Sequence, residues 1–490
     1  MKNFLKLACA TTVLLPFSQT EGKTKQSPNF IQILTDDQGY GDLACFGHPV
    51  IKSPHIDQLA KDGIKFSNCY AAHATSSPSR AAILTGRTPF RNGVYRWIPA
   101  NHFCHLPASE ITIAQQLRDH GYDTAHFGKW HLSQYKEQNI KGTKRYENFA
   151  FDFNKEQPSL KDYGYDYYFA TGNVARPDHK NPENFFINGE ALGKLEGYSA
   201  QIVANQFVKW LKERKDEDKP FFVTIWFHEP HGPVNSDPRF LAYYKRIKDP
   251  SLAQYYANIS QIDDAVGVIT KALKETGEYN ETLIWYTSDN GPEGNGFGTF
   301  GQTDSPYDRS RFRGETGGLR GRKRNNYEGG IRVPGIICWP DGLKQYGTAA
   351  GNISGVPISG YDVMPTLLEL AQIQKPSHIV LDGTSIVPLL QGKKLQREKP
   401  LYWRNEALIA LRSGNWKIVG DSFRKTFELY NLDIDYRETT DVSSFYPEIF
   451  ERLKKRLIEY DNEVLTEGRD WYKEDKKFTN RIPLIKLRTQ

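Results

Sequence analysis

Residues 30–42 read FIQILTDDQGYGD: an apolar run of β-type residues that stops at two consecutive aspartates and a glycine-containing turn. Two more runs have the same form, FFVTIWF at 221–227, which leads into His228, and TLIWYT at 282–287, which leads towards Asp289 and Asn290. Short apolar runs rich in β-branched and aromatic residues, bounded by polar ones, predict strands. Helical periodicity is visible at 199–214 and 251–276. From Asn29 to about Gln372 this alternation predicts an α/β fold with a large, mostly parallel central sheet flanked by helices. In such sheets ligands gather beyond the carboxyl ends of the strands, so polar residues directly after apolar runs are where chemistry is expected. Four places qualify: Asp36-Asp37, Lys129 to His131, His228 to His231, and Asp289-Asn290.

Outward from this core, the chain of 490 residues is long enough for one large domain with an appendage, or for two domains. After PSHIVLDGTSIVPLLQGKK the pattern changes to short strand-like segments (LYWR, ALIALRSG, NWKIVGD, FELYNL) followed by a helical run at 446–464. A large domain over 28–378 and a smaller C-terminal α+β subdomain over 379–490 are therefore expected. The stretch 291–324, rich in glycine and arginine, reads as a long loop.

At the start, Lys2 and Lys6 precede an apolar run from Leu7 to Phe17, which is too short to cross a bilayer and suits a signal peptide over 1–20. Export to the periplasm or the medium follows, with no membrane span. Lys6 stands where a lipoprotein signal would want an apolar residue, which favours simple secretion over lipidation at Cys9. Cys45, Cys69, Cys104 and Cys338 are scattered without CxxC spacing, so neither a disulfide scaffold nor a zinc site is indicated, and one isolated disulfide stays open. The net charge of +6 fits a polyanionic partner as well as it fits mere solubility. No nucleic-acid partner is expected.

The stretch SSPSRAAILTG at 76–86 places Pro78 in a first helical turn, with Ser77 as N-cap and Ser76 at the positive helix end, where an anionic group is held favourably. Alone it is no more than a capped helix. It resembles, however, the sulfatase signature C/S-x-P-S-R-x4-T-G, whose first residue is oxidised to formylglycine. ILTDDQGYGD, GKWHL at 128–132, HEPHGP at 228–233, TSDNGPEG at 287–294 and LRGRKRNNYEGGIRVPG at 319–335 follow the order typical of sulfatases, over about residues 28 to 440.

The resemblance implies an alkaline-phosphatase-like sandwich and a formylglycine (3-oxoalanine) made from Ser76. A serine hydroxyl is a weak nucleophile whose covalent sulfate needs a difficult hydrolysis, whereas an aldehyde hydrate attacks with one hydroxyl and expels sulfate with the other. It further implies one calcium ion held by Asp36, Asp37, Ser76, Asp289 and Asn290, an oxygen set that suits a hard cation. Arg80, Lys129 and Lys323 match positions that hold the nucleophile region and the sulfate oxygens. His131 matches the acceptor of the formylglycine proton, and His231, with Lys323, the donor to the leaving oxygen. His228 is expected to buttress His231, and Glu328-Gly329-Gly330 with Arg332 to shape the turn after Lys323.

Two departures from the family pattern matter. Serine rather than cysteine at 76 implies a serine-type radical maturase acting before export. Arg322 and Arg324 flank Lys323 where many sulfatases carry small residues; with Arg309, Arg311, Arg313 and Arg320, only partly offset by Asp304, Asp308 and Glu315, they form a basic stretch that reads either as an anionic-polymer contact or as a solvated loop. The aromatic cluster Tyr163, Tyr165, Tyr167, Tyr168 and Phe169 is expected in the core. The combined expectation is a sulfuric ester hydrolase acting on a sulfated polysaccharide or its oligosaccharides, from algal ulvan or carrageenan to glycosaminoglycans. The competing readings are a phosphodiester or phosphonate monoester hydrolase of the same superfamily and a non-catalytic glycan-binding pseudo-sulfatase; relative turnover of aryl sulfates and phosphate diesters separates them.

Overall fold

The computed structural model describes residues 27–99, 103–133, 157–214, 216, 218–294 and 309–471. The signal-peptide expectation at 1–20 lies outside the described residues, as do Asp304 and Asp308. Among the described residues the central sheet has ten strands, in the order Asn352–Ser354, Ile64–Phe66, Gly335–Cys338, Thr282–Ser288, Asn29–Asp36, Phe221–Pro230, Asp123–Lys129, Tyr167–Thr171, Phe185–Ile187 and Glu190–Gly193. The middle of the sheet, from Thr282–Ser288 to Tyr167–Thr171, is parallel throughout. Antiparallel neighbours follow at Gly335–Cys338 on one side and at Phe185–Ile187 on the other.

The strand Asn29–Asp36 is buried along its whole length and shows why the sheet is covered on both faces. Its side chains alternate across the sheet. Ile31 and Ile33 join a cluster with Phe207, Ile262 and Val266, under the helices Pro54–Asp62, Ser199–Glu213 and Pro250–Glu275. Phe30 and Leu34 face a second cluster with Leu84, Leu117 and Leu367, from the helices Ser76–Thr85, Ile113–Asp119 and Val363–Leu370. Each fully buried side chain of this size contributes roughly 1.5–3 kcal/mol relative to exposure.

The C-terminal strands Leu401–Asn405, Leu408–Ser413, Trp416–Asp421 and Thr426–Asn431 form an antiparallel sheet, and the helix Pro447–Val464 follows. Ile409, Leu411, Ile418, Leu429, Leu453 and Leu457 belong to the same hydrophobic cluster as Phe30 and Trp226, so this sheet and helix share a core with the central sheet. Tyr163, Tyr165, Tyr168 and Phe169 are buried, as expected of core aromatics, whereas Tyr167 is only half-buried at the edge of the core. Cys45, Cys69 and Cys338 are free thiols. No helix among the described residues is long and apolar enough to cross a membrane.

Candidate active site

The site is assembled where the parallel strands end. Asp36 closes the strand Asn29–Asp36, Lys129 closes Asp123–Lys129, and Asp289 follows Thr282–Ser288. Consecutive side chains of an extended strand point to opposite faces. Asp37 escapes that alternation through a left-handed backbone, φ 67°, and its carboxylate joins those of Asp36 and Asp289 in one group. His131 adopts φ 59° in the same way. Non-glycine residues in this region concentrate at functional sites. Gly128, just before Lys129, is required by its neighbour: a Cβ there would lie 2.0 Å from the Trp226 carbonyl oxygen.

Ser76 is the first residue of the helix Ser76–Thr85. The expectation of Ser77 as N-cap is corrected: Thr75 holds that position in an extended conformation, and the Ser77 hydroxyl instead accepts the Ile98 N–H at 3.0 Å. Pro78 thus sits at the third helical residue, and no side chain caps the positive end of the helix. The Ser76 hydroxyl, 3% exposed as a residue, lies 3.2 Å from Asp36 Oδ1 and 3.3 Å from Asn290 Oδ1.

Asp36, Asp37 and Asp289 each offer an oxygen within 4.8 Å of the others, all three buried. Asn290 joins them, donating from Nδ2 to Asp37 Oδ1 at 2.7 Å while its Oδ1 faces Ser76. Burial, then the neighbouring Asp36, push the Asp289 carboxyl up to about 7 in spite of Arg80. Crowded carboxylates in a solvent-poor pocket favour a bound cation, and an all-oxygen donor set suits a hard one. The residues present therefore fit a metal ion.

Cations surround the carboxylates. Lys129 bonds Asp36 Oδ2, and Arg80 donates to Asp289 Oδ2 from Nη2 at 2.8 Å and from Nε at 3.2 Å. Arg80 is wholly buried, with its guanidinium 5.1 Å from the Trp226 ring centroid. Lys323 donates to Asp37 Oδ2 at 2.7 Å. Burial alone would raise the Asp36 carboxyl; Lys129, His231, Arg80 and Lys323 more than reverse this and hold it well below the usual range.

The histidines have defined tautomers because their partners only accept or are already donating. His131 donates from Nε2 to the Ile98 carbonyl at 2.9 Å, which leaves Nδ1 as a buried acceptor without a partner. His231 donates from Nδ1 to the Gly232 carbonyl at 2.7 Å, and its Nε2 lies 3.8 Å from Asp37 Oδ2. Burial lowers the His231 pKa to about 3 against the pull of Asp36 and Asp37. His228 turns away to Thr171, whose hydroxyl donates to the Asn173 carbonyl, so His228 Nε2 donates at 2.7 Å. Asp36, Asp37, Ser76, Arg80, Lys129, His131, His231, Asp289, Asn290 and Lys323 are thus brought together, whereas Glu328 pairs with Lys417 and Arg332 away from them, and His228 supports the site from behind through the His231 N–H to His228 carbonyl bond of 3.1 Å.

Glu293 escaped sequence reasoning. Its side chain is 3% exposed and meets Arg311 Nη2 at 2.6 Å, Lys323 Nζ at 3.7 Å, and Arg324. The basic stretch is accordingly less free than its composition suggests: Arg313 pairs with Asp249 and Arg320 with Glu428 and Tyr430. An acid of opposite sign three residues after Asn290 was the only hint. Burial works to raise the Glu293 carboxyl, and Lys323, Arg324 and Arg311 more than reverse it, holding it far below the usual range. A carboxylate depressed on folding contributes stability above its unfolded pKa that is lost as pH falls. Glu293→Gln is expected to destabilise the protein by about 3 kcal/mol at neutral pH. The melting-temperature gap to wild type narrows on acidification below about pH 4; a gap that stays constant would show that Glu293 acts only as an uncharged acceptor.

With a serine at a helix start, converging carboxylates and fixed cations at the carboxyl edge of a parallel sheet, the class is that of hydrolases acting on esters of tetrahedral anions. The comparisons narrow it. The model of the family described as Sulfatase matches residues 28–373, and one described as N-sulphoglucosamine sulphohydrolase, C-terminal, matches 320–463. The chain belongs to the sulfatase family, and the protein is a hydrolase of sulfate esters. The uncharacterized sulfatase YdeN of Escherichia coli (strain K12) is 31% identical over 81% of this chain and 72% of its own. N-acetylgalactosamine-6-O-sulfatase of Bacteroides thetaiotaomicron is 28% identical over 89% of this chain and 93% of its own. Among solved structures, Ps i-CgsB in complex with k-i-k-neocarrahexaose superposes with a TM-score of 0.74 at 25% identity, covering 89% of this chain and 93% of that one.

Proposed function

We propose that the protein removes sulfate from a sulfated polysaccharide or its oligosaccharides, with residue 76 oxidised to formylglycine. The observation that carries this is the Ser76 hydroxyl held between Asp36 Oδ1 and Asn290 Oδ1, with Lys129 on Asp36 and Lys323 on the adjoining Asp37. A relative named for N-acetylgalactosamine-6-O-sulfate and a similar structure bound to a neocarrahexaose support a glycan substrate, with glycosaminoglycan, carrageenan and ulvan as the candidates. The division into 28–378 and 379–490, export through a signal peptide at 1–20 and maturation by a serine-type radical enzyme belong to the same proposal.

Oxidised and hydrated, residue 76 supplies one hydroxyl to attack sulfur and a second that expels sulfate on deprotonation. Asp36, Asp37, Asp289, Asn290 and residue 76 would hold a calcium ion, which would supply positive charge favouring the ionised nucleophile and the sulfate anion. Lys129 and Lys323 complete the cradle for the sulfate charge, and Arg80 orients Asp289. His131 presents an unshared Nδ1 for the proton of residue 76. The pair His231 and Lys323 passes a proton to the leaving oxygen; His231 Nε2, unprotonated in the free site, gains its proton beside the bound sulfate anion, which favours the charged imidazole.

Peptide mass spectrometry of residue 76 after co-expression with a serine-type maturase, paired with sulfate release from a panel of sulfated polysaccharides, tests the proposal. Loss of two hydrogens with release from one polymer is expected; full oxidation without release from any would overturn it. Proton donation makes a second expectation. A sugar alkoxide is a far poorer leaving group than nitrophenolate, so His231→Ala lowers kcat on a sugar sulfate by about 10²-fold and on 4-nitrophenyl sulfate much less. Equal losses on both would remove His231 from the leaving-group step.

A further inference from the structure

We propose that Arg311 and Arg324, gripped by Glu293 at the mouth of the site, recognise a second anionic group, a sulfate or a carboxylate, on the glycan whose ester is cleaved. This rests on the sulfated-glycan reading above and specifies its substrate class. Arg324 reaches both oxygens of Glu293, and Arg311 reaches Oε2 at 2.6 Å. A guanidinium carries five N–H donors. Glu293 takes Nη1 and Nη2 bonds of Arg324 and one Nη2 bond of Arg311, and the Arg324 and Arg311 side chains stay 41% and 23% exposed. The carboxylate thereby fixes the orientation of both forks and leaves N–H donors to spare.

Their placement ties them to the chemistry. The Arg324 N–H donates to the carbonyl of Ala74, two residues before Ser76, at 2.8 Å, and its own carbonyl accepts from Asn405 Nδ2 at 2.6 Å. A left-handed backbone at Arg324, φ 74°, brings it to the same carboxylate as its neighbour Lys323. Arg311 packs against Gly232, next to His231: a Cβ on Gly232 would lie 3.1 Å from Arg311 Cδ. The two forks thus flank Lys323 and His231, the residues assigned to the leaving oxygen, so they face the sugar side of the ester.

The local charge is uneven. Arg322 directs Nε to the Glu293 carbonyl at 3.1 Å and Nη2 to the Gly314 carbonyl, which turns it towards the backbone without cancelling its charge. Arg311, Arg322, Lys323 and Arg324 together meet two carboxylates, Glu293 and Asp37. A rigid excess of positive charge bearing planar forks matches sulfate and carboxylate geometry and selects among substrates more than it accelerates the reaction.

The test uses saccharide pairs that differ by one sulfate: mono- and disulfated N-acetylgalactosamine, and κ- and ι-neocarrabiose. In Ser76→Ala, which cannot be matured, calorimetry reads binding without turnover; the disulfated member of at least one pair binds more tightly, and sodium chloride erodes the preference. Adding Arg311→Ala or Arg324→Ala lowers that preference by about tenfold, and the lysine variants retain part of it. The preference of kcat/KM in the matured enzyme falls in parallel. No preference in either pair, or an equal loss on both members of a pair, overturns the proposal. A preference in binding, coupled with a fully oxidised wild type that releases no sulfate from any saccharide, would leave this anion site standing and sink the glycan-sulfatase reading instead.

Discussion

Sulfate release is expected to disappear in Ser76→Ala, with kcat/KM lower by about 10⁴-fold or more, because the hydroxyl proposed to become the nucleophile is removed while Lys129, His231 and Lys323 stay. The substitution deletes a hydroxyl that donates to Asp36 and Asn290 and leaves the helix start otherwise intact, so folding is unaffected and the loss is one of chemistry. Two companion results make the test specific. Wild type made in a host without a serine-type maturase carries an unmodified serine and is as inactive as Ser76→Ala. Ser76→Cys made with the oxygen-dependent maturase that acts on cysteine recovers turnover, since both routes end in the same aldehyde. Measured rates for unoxidised wild type equal to those of oxidised protein would remove the aldehyde from the mechanism.

Much of this arrangement was legible along the chain because it depends on local patterns. The runs at 30–34, 221–227 and 282–287 became Asn29–Asp36, Phe221–Pro230 and Thr282–Ser288, and the periodicities at 199–214 and 251–276 became Ser199–Glu213 and Pro250–Glu275. Polar residues after buried strands did converge, because parallel strands share one carboxyl edge. What stayed hidden rests on long-range pairing or on backbone conformation. Lys323 meets Asp37 across 286 residues, and the clamp of Glu293 on Arg311 and Arg324 has no periodic signature. The cap position moved from Ser77 to Thr75 because the Ser77 hydroxyl is claimed by Ile98, a contact that only the folded loop creates. Left-handed backbones at Asp37 and His131, neither of them glycine, are likewise set by the surrounding structure rather than by local preference.

Asp289→Asn is expected to cost about 1–3 kcal/mol of stability, through the buried hydrogen bonds it disrupts, and about 10³-fold in sulfate release, an effect larger than the change of one atom suggests. Asp289 satisfies opposing demands: Oδ2 accepts Nε and Nη2 of Arg80, and Oδ1 accepts the Asp37 N–H at 3.1 Å. An amide has one oxygen. Turned to Arg80, its NH2 group confronts the Asp37 N–H and disturbs the left-handed turn that brings Asp36 and Asp37 together; turned to Asp37, it confronts a buried guanidinium. In both cases Arg80 loses its close counter-charge and keeps only Asp36, 3.8 Å away. Both partners are wholly buried, so water cannot substitute, and breaking such a pair is costly where deleting both members is not. The same change removes one of three carboxylates from the group fitted to a metal ion, which weakens calcium binding. Thermal unfolding with calcium and with a chelator separates the two effects: wild type is stabilised by calcium, while Asp289→Asn melts lower in both conditions and gains less from the ion. An equal calcium gain in the two proteins would show that Asp289 serves Arg80 alone. A melting temperature unchanged in chelator would show the reverse, that Asp289 serves only the ion.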